Sequence, residues 1–244
     1  MAFIRPYKDT DFDACAQICI ATLPPSLASS PEAARLSPYL WTHPYTYLSP
    51  STCHVLDDGA GNAVGYCIGC PDVHGFAEAY PRYVAGVLED RGGRGIAAPP
   101  AQLETREPWF LPLPAAGDDP EGREEKKKNK VVNPAALAQL AYRADWLLLE
   151  GDAAKTELVR RWRATMHIDL LEPWQGRGWG RRLIEAFVRS VRESGADYGE
   201  GEHIGVAGEN RKVVAFYEKM GFRVISDDGG DEGSIVLVKD IERP

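Results

Sequence analysis

Met166-His167-Ile168-Asp169-Leu170-Leu171-Glu172-Pro173-Trp174-Gln175-Gly176-Arg177-Gly178-Trp179-Gly180 is the stretch from which the fold is read. Together with Ala164 and Thr165, its first part reads as a strand over 164–171; its second part is a glycine-rich turn that runs straight into helical periodicity from Trp179 to Glu193. There Leu183, Ile184, Phe187, Val188 and Val191 recur at i, i+1, i+4, i+5 and i+8, a stripe that fixes a helix to a sheet. The glycines let the backbone come close to a ligand, and the first N–H groups of the helix point at an anion with the helix dipole behind them. Strand, turn and helix make a pyrophosphate cradle; a plain turn is the other reading of the glycines. Spacing separates it from two other phosphate motifs. Gly176, Gly178 and Gly180 give G-x-G-x-G, whereas a dinucleotide fingerprint needs G-x-G-x-x-G, and no Gly-Lys-Ser or Gly-Lys-Thr closes the turn as a Walker loop requires.

Working outward, the chain beyond this helix predicts a strand over His203 to Ala207, a helix over Arg211 to Met220 ended by Gly221, a strand over Phe222 to Ser226 and a last strand over Ser234 to Val238. Strand and helix alternate, so an α/β sheet covered by helices is expected. Asn210 opens the second helix seven residues before Tyr217, two turns, which sets both on one face. An N-cap asparagine and a core tyrosine would account for the pair without a ligand. Upstream, Phe3 to Arg5 reads as a strand and Asp9 to Thr22 as a helix, capped by Asp9 or Thr10, with Phe12, Cys15, Ile18 and Cys19 on one stripe. Leu23 to Pro50 reads as irregular or as short helices carrying Tyr39, Trp41, Tyr45 and Tyr47. A hairpin of Cys53–Leu56 and Ala63–Ile68 turns over residues 57–62. Helical spacing returns over Phe76–Leu88, Ala135–Leu149 and Asp152–Trp162. Between them the Pro- and Gly-rich stretch 91–120 passes into the charge run from Glu124 to Lys130, read as a solvated, mobile loop.

With 244 residues, 44% of them apolar and 26% charged, the chain has the composition of a folded, water-soluble protein. Its formal charge of -8 argues against a broad nucleic-acid footprint, so any phosphate must be held locally. The N-terminal stretch lacks the pattern of a signal peptide and no apolar run reaches membrane-spanning length, so a cytoplasmic or nucleocytoplasmic protein is expected. Five cysteines suit reduced intracellular thiols better than a disulfide framework. Cys67-Ile-Gly-Cys70 has the spacing of half a zinc site, but no second ligand pair follows; buried apolar thiols are expected and no metal.

Gln175-x-x-Gly178-x-Gly180 matches the acetyl-CoA signature Q/R-x-x-G-x-G/A of the GNAT N-acetyltransferases, and Asn210 to Phe222, NRKVVAFYEKMGF, resembles their N-x-x-A-x-x-F-Y-x-x-x-G-F segment. The stretches FIRPYKDTDFDACAQIC, GYCIGCPD and MHIDLLEPWQGRGWGRRLIEAF resemble a GNAT group that includes bacterial acetyltransferases related to the C-terminal acetyltransferase-like domain of O-GlcNAcase. The resemblance reaches both ends of the chain and leaves roughly 91–132 unmatched. It implies a single α/β domain over 1–244 with the GNAT fold, a central mixed twisted sheet of six to seven strands flanked by helices. A long insertion then lies between the third and fourth strands, with 91–132 flexible.

The resemblance also implies an acyltransferase that uses acetyl-CoA as cosubstrate, no metal, and a primary amine as acceptor. That acceptor is a small molecule such as an amino sugar, or else a protein or histone lysine; a catalytically silent acetyl-CoA-binding module is the reading of a different class. Monomer or homodimer, without nucleic acid or membrane, completes the expectation. Main-chain N–H groups of Gln175, Gly176, Arg177, Gly178, Trp179, Gly180 and Arg181 would hold the pyrophosphate, with Arg177 adding charge. Leu170 and Leu171 would pair with the pantetheine arm like an added strand. Tyr217 matches the family's general acid, and Asn210 would hold the pantetheine or order Tyr217. Asp169 shares a strand face with His167. It is the first choice as general base or as anchor for the acceptor ammonium, against a purely structural carboxylate; His167 and His203 read as packed rather than catalytic.

Overall fold

The computed structural model describes residues 1–90, 95–96, 99–112, 130–230 and 233–243. Its main sheet is assembled from β1 (Phe3–Pro6), β2 (His54–Asp57), β3 (Ala63–Cys70), β6 (Ala164–Leu170), β7 (Gly201–Ala207), β8 (Arg223–Asp227) and β9 (Ser234–Asp240). The spatial order is β1-β2-β3-β6-β7-β9-β8, and every pairing is antiparallel except the parallel contact of β6 with β7. A mixed sheet of seven strands flanked by helices is the architecture expected. Within the segment joining β3 to β6, β4 (Phe110–Pro112) pairs with β5 (Lys130–Val132).

Helices cover both faces. On one lie α1 (Phe12–Ala21), α2 (Pro25–Ala28), α3 (Pro31–Trp41), α4 (His43–Leu48), α5 (Val73–Tyr83) and α6 (Pro134–Tyr142). Against the other face pack α8 (Trp179–Glu193) and α9 (Val214–Lys219), while α7 (Ala153–Arg161) precedes β6. Residues 25–48, which read as irregular or as short helices, hold three short helices. Their prolines are compatible with this, since Pro25, Pro31 and Pro44 occupy first-turn positions, where a missing N–H costs nothing. Ser30 caps α3 by accepting from the Ala33 N–H at 3.2 Å. The single helix expected over 135–149 is broken at Arg143 into α6 and a wide turn, Asp145–Leu149.

Alternation along β6 divides the two cores. Ala164, Met166, Ile168 and Leu170 face the cluster under α8, where Leu183, Ile184, Phe187, Val188 and Val191 are buried, and Thr165, His167 and Asp169 face α1 and its neighbours. Each of those α8 side chains is worth about 1.5–3 kcal/mol on burial. Cys67 and Cys70 on β3 are three residues apart, so they point to opposite faces and belong to different cores, which removes the spacing argument for a shared metal.

Most of the expected flexible insertion, including the charge run through Asn129, lies outside the described residues. The part that is described is anchored. Gln139 on α6 accepts from the Glu107 N–H at 2.8 Å and donates to the carbonyls of Gln102 and Thr105, and Asn133 donates to the Pro108 carbonyl at 3.0 Å. Trp109, Phe110 and Lys130 are thereby held over one end of β6.

Glu202, at the base of β7, is fully buried with neither carboxylate oxygen paired; Lys239 is its register partner on β9. Burial pushes its carboxyl up to about 8, against an ordinary 4.5, with Lys239 opposing the shift. The native protein keeps a proton that the unfolded chain releases, so this residue favours folding below about 4.5 and loses that contribution as pH rises to about 8. Glu202→Gln is therefore expected to be increasingly stabilised relative to the parent across this window, by about 1 kcal/mol per pH unit. Thermal melts at pH 5 to 8 check this, and parallel curves would exclude it.

Candidate active site

The site begins where two strands separate. β6 and β7 pair only at Ala164–Glu202 and Thr165–His203, a contact closed by the Thr165 hydroxyl donating to the His203 carbonyl at 2.9 Å. Beyond it β7 stays with β9 and β6 stays with β3, so the edge of β6 from Met166 onward has no strand beside it. Its backbone direction follows from the ladder. The Leu171 N–H donates to Val64 at 3.0 Å, which makes Leu171, Asp169 and His167 the residues bonded to β3 and turns the backbone groups of Ile168 and Leu170 toward the gap. Leu171 lines the cavity described next, but its N–H is already engaged and cannot pair with a pantetheine arm. Ile168, whose backbone faces the gap, is a residue the sequence reading missed because it assigned the pairing without the register of β3.

Along this open edge runs a cavity of about 850 Å³, lined by Ile168, Asp169, Leu170, Leu171, Gln175, Gly176, Gly178, Gly180, Arg181, Asn210, Lys212, Phe216 and Tyr217 among others. Gly176 and Gly178 adopt φ of +69° and +80°, and a Cβ on either would meet nothing within 4 Å; open space in front of a left-handed turn is what a cradle requires. Gly180 is different. A Cβ there would lie 2.9 Å from the tip of the Phe216 ring, so this glycine admits Phe216 onto the first turn of α8. The Gln175 side chain donates to the Leu170 carbonyl at 2.8 Å, tying the turn to the strand end. Arg177 and Trp179 do not line the cavity: Arg177 is exposed and Trp179 carries Arg182 over its ring at 4.4 Å. Its cations are Arg181 and Lys212.

A second cavity, of about 660 Å³, lies on the α1 side, lined by Cys19, Thr22, Ser26, Trp41, Trp109, Phe110, Lys130, His167, Asp169, Glu209, Asn210 and Tyr217 among others. Trp41 and Trp109 meet edge to face at 6.4 Å, and Ser26 donates through both its hydroxyl and its N–H to the Glu209 carboxylate. The two cavities share Thr22, Ile168, Asp169, Asn210, Val213 and Tyr217. The residues singled out as chemical in the sequence thus sit at one junction. Asn210 reaches it differently from expectation: it lies in a short tight helix, Gly208–Val213, with φ -103° and ψ 21°, and α9 starts only at Val214. The shared face comes from the fold of this corner and not from two continuous helical turns.

At the junction Asp169 accepts from the Tyr66 phenol at 2.6 Å, and Thr22, whose hydroxyl donates to the Ile18 carbonyl at 2.8 Å, lies beside it. Burial raises its carboxyl above the usual range, with the two hydroxyls pulling the other way. Burial, then the charge of Asp169, push the Tyr217 phenol up from its ordinary 10, so it remains a protonated donor. His167 is held down to about 4 by burial and packs against Tyr45 at 5.1 Å; His203, also down to about 4, donates from Nδ1 to the Trp162 carbonyl at 2.6 Å. Both imidazoles are neutral packing groups, as expected.

Among the described residues no group of His, Cys, Asp and Glu has the arrangement of a metal site, and no helix is long and apolar enough to cross a membrane. The acetyltransferase (GNAT) domain family matches residues 146–224, which hold the open edge, the cradle and α9. A mycothiol acetyltransferase of Propionibacterium freudenreichii subsp. shermanii is 32% identical over 102 aligned positions, 35% of this chain; the chain spans only 32% of that relative's length. The crystal structure of SsHAT is similar over 99% of both chains, at 26% identity and a TM-score of 0.64. Splayed strands, a glycine turn opening α8, the matched segment and likeness along the whole chain agree on the GNAT fold, with an acetyltransferase (GNAT) domain match over residues 146–224.

Proposed function

We propose that this chain is an acetyl-CoA-dependent N-acetyltransferase acting on the primary amine of a small molecule, an amino sugar being the first candidate. The observation that carries the reading is the junction, where an anion cradle with an open strand edge meets a second, carboxylate-bearing cavity at Asp169 and Tyr217. Acetyl-CoA supplies an activated thioester. The turn at Gly176 and Gly178 and the first N–H groups of α8 bind its pyrophosphate, Arg181 and Lys212 add charge, and the backbone of Ile168 and Leu170 orients its arm. Asp169 takes the proton that an ammonium must lose before its nitrogen can attack, directly or through one water. As the new C–N bond forms and the C–S bond breaks, Tyr217 donates its proton to the departing thiolate.

A cavity of 660 Å³ has small-molecule dimensions. The Ser26–Glu209 contact joins its two banks and Trp109 and Phe110 cover one end, which favours a small acceptor over a polypeptide lysine. The amino-sugar choice rests on the resemblance to the O-GlcNAcase-related group. Release of CoA thiol over glucosamine, polyamines, arylamines and lysine peptides ranks the acceptors. A calorimetric titration without heat on adding acetyl-CoA would defeat the enzyme reading.

Gly178→Ala forces a side chain into a left-handed turn, at about 1–2 kcal/mol, and fills the cradle, so acetyl-CoA affinity is expected to drop about tenfold or more. Gly180→Ala displaces only the Phe216 ring and is expected to be milder. Arg181→Ala and Lys212→Ala should each weaken binding about tenfold while Arg177→Ala changes it less than about twofold, all read by the same titration. Tyr217→Phe is expected to lower turnover about 100-fold with acetyl-CoA affinity retained; unchanged turnover would refute the acid role.

A further inference from the structure

Asp169 and Tyr66 are register partners on β6 and β3, and both project to the same face of the sheet. The phenol donates to Oδ2 at 2.6 Å, and the tyrosine is fully buried, its other polar neighbour being Thr42 at 3.5 Å. Among the described residues no cation pairs with Asp169; it accepts from the neutral phenol of Tyr66. We propose that Tyr66 is the positioning residue of this site, its phenol holding the Asp169 carboxylate at the junction of the two cavities. This rests on the reading of Asp169 as the group that accepts the amine proton.

Two observations support the assignment. Tyr66 cannot serve as an acid or base itself, because burial first and the charge of Asp169 second push its phenol well above the ordinary 10, so it stays a donor. The groups around Asp169 do not compete for charge. Cys19 on α1 is pushed up to about 12, Cys67 on β3 and Tyr217 on α9 are also raised, and His167 on the same strand is held down to about 4. Thr22 does not titrate, and Glu209 and Lys130 lie elsewhere along the same cavity.

The test uses the full chain with ¹³C-labelled aspartate, in which Asp169→Asn identifies the Asp169 carboxyl resonance. Tyr66→Phe, which removes only the hydroxyl, is expected to raise the titration midpoint of that resonance by about 1–2 pH units, the worth of one hydrogen bond to a charge. Replacing tyrosine by 3-fluorotyrosine, a stronger donor with packing retained, is expected to lower it. With glucosamine and acetyl-CoA, the acidic limb of kcat/KM in Tyr66→Phe should move up by the same amount while acetyl-CoA affinity is kept. A midpoint that stays in place in both proteins overturns the proposal, and so does a moved midpoint with an unmoved acidic limb. Wild-type turnover in Asp169→Asn instead removes the base reading, and the NMR arm still reports whether Tyr66 holds the carboxylate.

Discussion

The parallel contact between β6 and β7 is two residues long, and everything at the site depends on its ending there. A strand edge inside a sheet normally has its N–H and C=O groups paired, since an unpaired buried backbone group is costly. Past Thr165 the edge of β6 is left to whatever lies in the gap, and the groups of Ile168 and Leu170 are turned toward it. α9 and the turn before it occupy the far side of the opening, so Asn210 and Tyr217 look across at Asp169. An extended, amide-bearing arm is the ligand such an edge accommodates.

The junction is governed by burial acting on neutral donors. Asp169 has the neutral Tyr66 phenol for a partner in place of a cation, which leaves it more basic than an ion-paired carboxylate. The same burial keeps Tyr217 protonated and the imidazoles of His167 and His203 uncharged. One physical cause thus raises the carboxyl and the phenol and keeps both imidazoles neutral.

The three glycines of the turn serve two purposes. Gly176 and Gly178 have positive φ and empty space before them, so they keep the turn open. Gly180 admits the Phe216 ring and belongs to the packing of α9 on α8. This difference accounts for a family signature in which the last position accepts alanine: a ring tip can yield by a few tenths of an ångström, whereas a left-handed backbone cannot be relieved.

Local chemistry was legible in the sequence. The strand, the glycine turn and the apolar stripe of α8 follow from alternation, spacing and 3.6-residue periodicity, and with them the alternation of strands and helices. Over 25–48 the choice between irregular chain and short helices stayed open because proline reads as a breaker even where it opens a helix. Register and the meeting of distant segments belong to the tertiary structure alone. Pairing with β3 engages the Leu171 N–H and turns Ile168 to the gap, and it brings Tyr66, 103 residues away, onto Asp169. Packing of the corner after β7 decides that Lys212 and Arg181, not Arg177, line the cradle, and that Glu209 meets Ser26 across 183 residues. Periodicity constrains what one segment does, while contacts between segments depend on register and direction, which a single chain's pattern does not encode.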